Sequence, residues 1–250
     1  MERIVRDGKS SLLLQLADRI GNVVKEEESG SDVVSENVVA MTRIGQKFDE
    51  VGLKSNAHTL IVKNDEDLGG MDVAIEVIRV MNGVCNDPDV EGWNLSDCSS
   101  RLRELVLGND CLQYVKKMKL VGFASLEKVE FGMKCLCKSD GGAFEVSECK
   151  RLKSVKVGDG CCEDWSSFVM NNCGASLCFG DGCFSLSGDG SFEVTNCKGM
   201  STLKMGSGCC ANWSSFTLSN CGVSEVIVDE ECFVSCRSVV FESERWCVMS

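Results

Sequence analysis

The sequence predicts a mainly β repeat solenoid, in which similar coils stack along one axis and each coil adds parallel strands to shared sheets. Three observations predict it: a fixed spacing between Phe and Cys residues, alternation of apolar and polar residues in each repeat, and a duplicated block. A fixed period of about 20 to 50 residues is typical of such architectures.

The spacing is 24 residues for both residue types. Because equivalent positions of successive coils stack on one another, it predicts a structural ladder of aromatic rings and another of thiols in the core. A thiol is small and apolar enough for such a place. The predicted ladder residues are Phe144, Phe168, Phe192, Phe216, Cys149, Cys173, Cys197 and Cys221.

The repeat is also nested, since residues 131–174 align without a gap on residues 179–222 and match at 22 of 44 positions. Two coils therefore form one duplicated block. Trp165 and Trp213 occupy the same place in the two copies, just before the second alternating run. Burial as a wedge at a corner of the coil explains them best, and exposed anchors for a partner are the alternative.

Each coil contains two alternating runs, the pattern of half-buried strands. The first has the form L-x-x-L-x-L-G, at residues 102–108, 126–132 and 152–158, and the second resembles F-x-V-x-x-C. A glycine ends the first run in five coils, where we expect a tight corner that needs a positive φ. These glycines are Gly108, Gly132, Gly158, Gly180 and Gly206.

The runs LKSVKVG and MNNC, and again STLKMG and LSNC, resemble the leucine-rich-repeat superfamily, particularly its irregular β-rich protist and bacterial-surface variants. The resemblance covers residues 98–242 well and residues 57–97 weakly. It implies a right-handed curved coil with a parallel strand ladder and a role in protein recognition. The full family signature is incomplete, because Gly and Cys stand where Asn and Leu are usual.

An asparagine precedes the cysteine in three coils, at Asn172, Asn196 and Asn220, and Glu148 takes that place one coil earlier. We expect these amides to form a short ladder that bonds the backbone of adjacent coils.

Two regions differ in pattern. Residues 57–247 are predicted to form the solenoid, with clear repeats over 98–242. Residues 1–56 are predicted to form a helical cap and an acidic linker, because a helical apolar stripe over residues 12–24 precedes a charged stretch. Such a cap would cover the first coil, whose apolar core is otherwise open.

The net charge of −12 disfavours nonspecific binding to nucleic acid or anionic lipid. No apolar run is long enough to span a membrane, and the start of the chain lacks the pattern of a secretory leader. We therefore expect a cytoplasmic protein without membrane insertion. Its oligomeric state is not predicted.

The eighteen cysteines allow three interpretations: core ladder residues, thiolate ligands of a metal, or disulfides of a secreted or surface adhesin. A reducing compartment disfavours disulfides, and C-x-x-C pairs typical of zinc sites are absent. Adjacent cysteines such as Cys161 and Cys162 are predicted to point to opposite sides of a strand. The core ladder is preferred, and no metal or cofactor is predicted.

Catalytic patterns are absent from the sequence. The only histidine, His58, has no Ser or Cys partner nearby in the sequence, and the GDG strings lack the lysine of a phosphate loop. We therefore predict that the protein is not an enzyme and has no catalytic residues.

The predicted function is a non-enzymatic scaffold that recognises another protein through an exposed strand ladder. Outward residues of the first runs mix charges, whereas those of the second runs are mostly Ser and Thr, and mixed charge gives more specificity. The alternatives are a Cys-rich thiolate metal-binding protein and a disulfide-bonded adhesin. The predicted contact residues are Glu104, Lys128, Glu130, Lys156 and Lys204, together with Trp165 and Trp213.

Overall fold

Two facing ladders of parallel strands form the part of the chain that the computed structural model describes, residues 4–5 and 58–243. They build a solenoid of about 7 turns with repeats of roughly 24 residues, as the spacing predicts. The two alternating runs of each coil supply one strand to each sheet.

The first sheet contains eight strands, all parallel, and runs from one end of the described solenoid to the other. Its strands are β2 (Thr59–Val62), β3 (Val77–Val80), β4 (Glu104–Leu107), β6 (Lys128–Phe131), β8 (Ser154–Val157), β10 (Ser176–Phe179), β12 (Thr202–Met205) and β14 (Glu225–Val228).

The second sheet contains six parallel strands and one antiparallel strand, β1 (Ile4–Val5), which pairs with the last of them. The parallel strands are β5 (Lys117–Val121), β7 (Ala143–Ser147), β9 (Ser167–Asn171), β11 (Ser191–Thr195), β13 (Ser215–Cys221) and β15 (Ser238–Ser243). Two short 3-10 helices, Asp65–Gly69 and Ser96–Cys98, lie in the first coils.

The two sheets differ in spacing along the chain. Strands β7, β9, β11 and β13 begin 24 residues apart, at 143, 167, 191 and 215, whereas β6, β8, β10 and β12 begin at 128, 154, 176 and 202. Corners that lead from the first sheet to the second are alternately long and short, as in 132–142 and 158–166. This alternation gives the duplicated two-coil block its structural basis.

The predicted phenylalanines lie in one column of the second sheet, paired in register from coil to coil. The rings of Phe168 and Phe192 stack with centroids 4.8 Å apart, and those of Phe192 and Phe216 stack at 5.4 Å. Phe144 meets Phe168 edge to face at 5.5 Å. All four are buried, so each coil adds one ring to a continuous core.

Tryptophan and glycine alternate at the corner before the second sheet. Trp165 packs on Gly142 of the preceding coil and Trp213 packs on Gly190, and a Cβ on either glycine would overlap the indole ring. Both indoles are fully buried. A large side chain in every second coil thus fills space that the glycine of the neighbouring coil leaves, which matches the two-coil repeat.

The prediction that the glycines after the first run need a positive φ is wrong. Positive φ occurs two residues later, for example at Gly160 after Gly158 and at Lys134 after Gly132. The glycines are required by close contact between coils, because a Cβ on Gly158 would lie 2.6 Å from the carbonyl oxygen of Gly132. Their backbones stack as a column in which only a hydrogen fits.

The asparagine ladder forms, but its side chains bond one another. Asn172 Nδ2 donates to the carboxylate of Glu148 at 2.9 Å, and Asn220 Nδ2 donates to Asn196 Oδ1 at 2.7 Å. All four residues have a positive φ between 53° and 58°. Asparagine tolerates that conformation better than most residues, which accounts for its recurrence there.

The amides that bond neighbouring backbone lie at the opposite corner. Asn82 Oδ1 accepts a hydrogen bond from Asn109 N at 2.8 Å, and Asn109 Oδ1 accepts one from Met133 N at 2.9 Å. These side chains tie three successive coils together just after their first-sheet strands.

The predicted helical cap over residues 12–24, its acidic linker and the last residues of the predicted solenoid, 244–247, lie outside the described residues. Within the described residues, no helix is long and apolar enough to cross a membrane.

Candidate protein-binding face

The outer face of the first sheet is formed by two columns of side chains that alternate with the buried ones. The column nearer the strand starts is mostly small and charged, and the next column mixes cations, apolar groups and one carboxylate. Pairing in register places each side chain beside its equivalents in neighbouring coils. The second column is Arg79, Val106, Glu130, Lys156, Cys178, Lys204 and Ile227.

Glu130 lies deep in this face. Its side chain is only 9% exposed, and it pairs with Lys128 at 2.8 Å and with Lys156 at 3.9 Å, whose side chains are 38% and 47% exposed. Surrounding side chains also bury Val106, although both residues belong to the outward pattern. The surface here therefore presents ammonium groups above a nearly buried carboxylate.

A second carboxylate, Glu127, is surrounded by three cations at the adjacent corner. Arg103, Arg151 and Lys153 lie 3.4, 3.6 and 2.7 Å from its oxygens, and they are 54%, 65% and 74% exposed against 18% for Glu127. The hydrogen bond from Lys153 and the charges of the three cations hold the pKa of Glu127 below its usual value.

These two sites adjoin on three successive coils, and we call them the basic patch. It comprises five cations over two carboxylates and thus has an excess of positive charge, in a protein whose net charge is −12. The cations of the basic patch are Arg103, Lys128, Arg151, Lys153 and Lys156.

The predicted contact residues fall into two groups. Glu104, Lys128, Glu130, Lys156 and Lys204 all lie on first-sheet strands at outward positions. The tryptophans predicted with them belong to the core at a corner and are fully buried, so they do not contribute to this face. Sequence position alone could not show this, because the covering glycine lies one coil earlier.

The second sheet offers a different outer face. Ser167, Ser191 and Ser215 are paired in register, and Asn171 Nδ2 donates to Thr195 Oγ1 at 2.7 Å in another column. Charges are concentrated toward its first strands, as in the Lys119 and Glu145 pair at 2.7 Å. Most of this face is therefore short and polar.

The predicted thiols form what we call the core thiol ladder, which is buried at the corner after the second sheet. Each sulfhydryl donates to a main-chain carbonyl of the preceding coil, for example Cys149 to Leu120 O at 3.2 Å and Cys173 to Val146 O at 3.6 Å. The ladder thus pairs carbonyls that the strand ends leave free.

A longer ladder at the other corner escaped the sequence analysis. Its thiols donate to glycine carbonyls, as in Cys161 to Gly132 O at 3.0 Å and Cys209 to Gly180 O at 2.8 Å. Unequal strand spacing hid it from a search for a fixed period, although a G-x-x-C motif repeats in five coils. This corner thiol ladder comprises Cys85, Cys111, Cys135, Cys161, Cys183, Cys209 and Cys232.

The adjacent cysteines do not lie on strands, contrary to the sequence prediction. Cys161 and Cys162 lie in a corner, where Cys162 has a positive φ of 56°, and both thiols are buried. Burial raises the pKa of Cys162 and Cys210, and it raises the pKa of Cys98 to about 11. Thiols held in this way are protonated at neutral pH and react slowly.

All cysteines in the described residues are free thiols, and the closest pair given, Cys111 and Cys135, has its sulfur atoms 3.7 Å apart. Across residues 58–243, no three Cys, His, Asp or Glu side chains are placed to hold a metal ion. The exposed His58 contacts the carbonyl oxygen of Ala74 at 3.2 Å through Nδ1.

Cys178 is half-buried on the outer face of the first sheet, between Lys156 and Lys204 in register. Burial raises the pKa of its thiol, and the two lysines oppose that effect.

Comparisons of the chain with known protein families, with curated proteins and with solved structures find no match. The leucine-rich-repeat resemblance thus rests on the sequence runs.

Proposed function

We propose that this solenoid is a non-enzymatic protein-recognition scaffold of the leucine-rich-repeat type, whose partner binds the outer face of the first sheet. The observation that supports it most directly is the register of that face. Charged and apolar side chains from successive strands lie side by side at roughly 4.8 Å, the spacing of paired strands.

Such a face is organised before a partner arrives. The strands are fixed on both sides by parallel pairing, and ion pairs join Arg79 to Glu104 and Lys128 to Glu130 across or along them. Side chains that are already ordered lose little entropy on binding, so more of the contact energy appears as affinity.

Charge favours the first sheet over the second as the binding face. Charged groups across an interface reject wrong partners through like-charge contacts and fix the register of the right one. The Ser and Thr columns of the second sheet offer short hydrogen-bonding groups without that discrimination. Lys204 adds to the first face a cation that has no ion pair within the described residues.

The experiment compares the two faces directly. A photoreactive amino acid replaces Ser154 on the first sheet or, as a matched position, Ser191 on the second; both are half-buried outward serines. We expect a discrete crosslinked protein from native lysate at position 154 and none at 191. A partner crosslinked only from 191, or equally from both, would overturn the assignment of the face.

Charge reversal provides an independent measurement on the crosslinked partner. Lys156→Glu with Lys204→Glu should leave the circular dichroism spectrum unchanged and weaken capture. Ser167→Glu with Ser215→Glu, on the second sheet, should weaken it less. Equal losses from the two pairs would contradict the proposal.

We also propose that the protein works in a reducing compartment such as the cytoplasm. Each ladder thiol donates its proton to a main-chain carbonyl, so a disulfide would leave two buried carbonyls without donors. Titration of the purified protein in denaturant should find most of the eighteen cysteines as free thiols. Nearly complete loss of free thiols would instead support the adhesin alternative.

A further inference from the structure

The basic patch has an unusual vertical order of charge. Its two carboxylates are 18% and 9% exposed, whereas all five of its cations are at least 38% exposed. A partner that approaches from solvent therefore meets guanidinium and ammonium groups first. The carboxylates beneath hold those groups in place.

The cations retain unused donors. Glu127 has two oxygens to share among three cations, and each ammonium or guanidinium group has three to five N–H groups. Most of those N–H groups are therefore available to a ligand. Arginine in particular can bind a carboxylate through two parallel hydrogen bonds.

We propose that the basic patch binds an extended acidic segment of the partner protein, a proposal that rests on the function proposed above. The patch spans three coils, or roughly 10 Å along the solenoid axis, with strands about 4.8 Å apart. Alternate side chains of an extended chain lie about 7 Å apart on one face. Two or three carboxylates of a short acidic run therefore match it.

The charge of the whole protein favours a peptide over longer polyanions. With a net charge of −12, long-range repulsion opposes a nucleic acid or an anionic membrane, which extends far beyond five cations. A short acidic segment instead contacts only the local excess of positive charge. At a Debye length of about 8 Å the distant negative charges are largely screened.

Fluorescence anisotropy with a fluorescein-labelled hexaglutamate peptide tests the proposal on the full chain. We expect saturable binding at 50 mM NaCl that weakens as salt is raised, and none with hexaglutamine. Arg151→Glu with Lys153→Glu should weaken binding by at least about tenfold. The matched control, Lys117→Glu with Lys138→Glu, changes net charge equally at exposed positions outside the basic patch and should change affinity little.

A milder pair, Arg151→Gln with Lys153→Gln, separates loss of charge from any disturbance of folding and should weaken binding by a few fold. Equal effects of the patch and control pairs would overturn the proposal, because they would show a response to net charge alone. Tighter binding of a thymidine hexanucleotide or of phosphatidylserine vesicles than of hexaglutamate would also overturn it.

Failure of this proposal differs from failure of the proposed function. A partner crosslinked from position 154 with no hexaglutamate binding would leave the binding face intact and remove only the acidic segment. Hexaglutamate binding at the basic patch with a partner crosslinked from position 191 would remove the face and keep the anion site.

Discussion

The two sheets of the solenoid share one core but differ in regularity and in outer chemistry. The second sheet repeats every 24 residues, stacks phenylalanines on its inner side and is mostly short and polar outside. The first sheet has unequal spacing and a charged outer face with two nearly buried carboxylates. The regular sheet is thus built for stacking, and the irregular one has room for surface chemistry.

Corner length explains how one chain can have both properties. Insertions that would disturb the ring column in the second sheet are absorbed in the corners that lead to it, where a buried tryptophan alternates with a glycine. Registers in both sheets survive, because the strands themselves keep constant lengths from coil to coil.

The largest expected effect is loss of a ring from the second sheet. Phe168→Ala removes a side chain that contacts four other phenylalanines and should reduce the free energy of unfolding by about 3 to 5 kcal/mol. In the first sheet, Val155→Ala deletes only two methyl groups, worth about 0.8 kcal/mol each before any cavity cost. Urea denaturation measures both.

The half-buried outward neighbour Val169 provides the control on the same strand. Val169→Ala should shift the urea midpoint far less than Phe168→Ala. If Phe168→Ala and Val155→Ala had equal costs, the second sheet would not be the stronger half of the core.

Glycine contacts between coils give the next effect. Gly158→Ala puts a Cβ 2.6 Å from the carbonyl oxygen of Gly132 and should destabilise by about 1 to 3 kcal/mol through overpacking. Gly188→Ala is the control, since nothing lies within 4 Å of its Cβ position. Thermal unfolding that finds the two variants alike would argue against a close backbone column beside the first sheet.

The sequence predicts the regular sheet far better than the irregular one. The Phe column and the core thiol ladder follow from an exact period, because stacking requires equal chain lengths between them. The corner thiol ladder follows from the G-x-x-C motif instead, whose spacing varies with corner length. Positive φ at Lys134 has no such sequence signal, since lysine has no special preference for it.

Depth is what the sequence could not give for the binding face. Alternation places Glu130 and Lys156 on the same outward side, yet one is nearly buried and the other is half exposed. The burial of Trp165 likewise depends on Gly142 in the preceding coil. Both facts come from neighbours that are distant in the chain and become adjacent only when the coils stack.

Thiols at the corner should contribute less than rings. Cys161→Ala leaves the carbonyl of Gly132 without its donor and should cost about 1 to 3 kcal/mol. Cys178→Ala, at an outward position of the first sheet, should cost little. Guanidinium chloride midpoints under reducing conditions compare them, and a cost for Cys178→Ala that equals that of Cys161→Ala would contradict a bonding role for the corner thiol ladder.

The smallest effect concerns Glu127 and depends on pH. Its pKa is lowered in the folded protein by the Lys153 hydrogen bond and the charges of Lys153, Arg103 and Arg151, so its ionised form favours folding. That contribution is complete above the usual glutamate pKa, near 4.5, and is lost as pH falls through the lowered folded value. Wild type should therefore exceed Glu127→Gln in stability at pH 7, and the gap should close in stronger acid.

Urea midpoints at pH 7, 5 and 3 measure that gap, with Glu225→Gln as the control, because Glu225 is exposed on the last strand of the same sheet and has no ion pair within the described residues. We expect a gap for Glu127→Gln that narrows only below pH 5, and none for Glu225→Gln. A gap that stays constant down to pH 3 would show that the Glu127 side chain stabilises the corner through packing. The cations of the basic patch would then be held by something other than the charge beneath them.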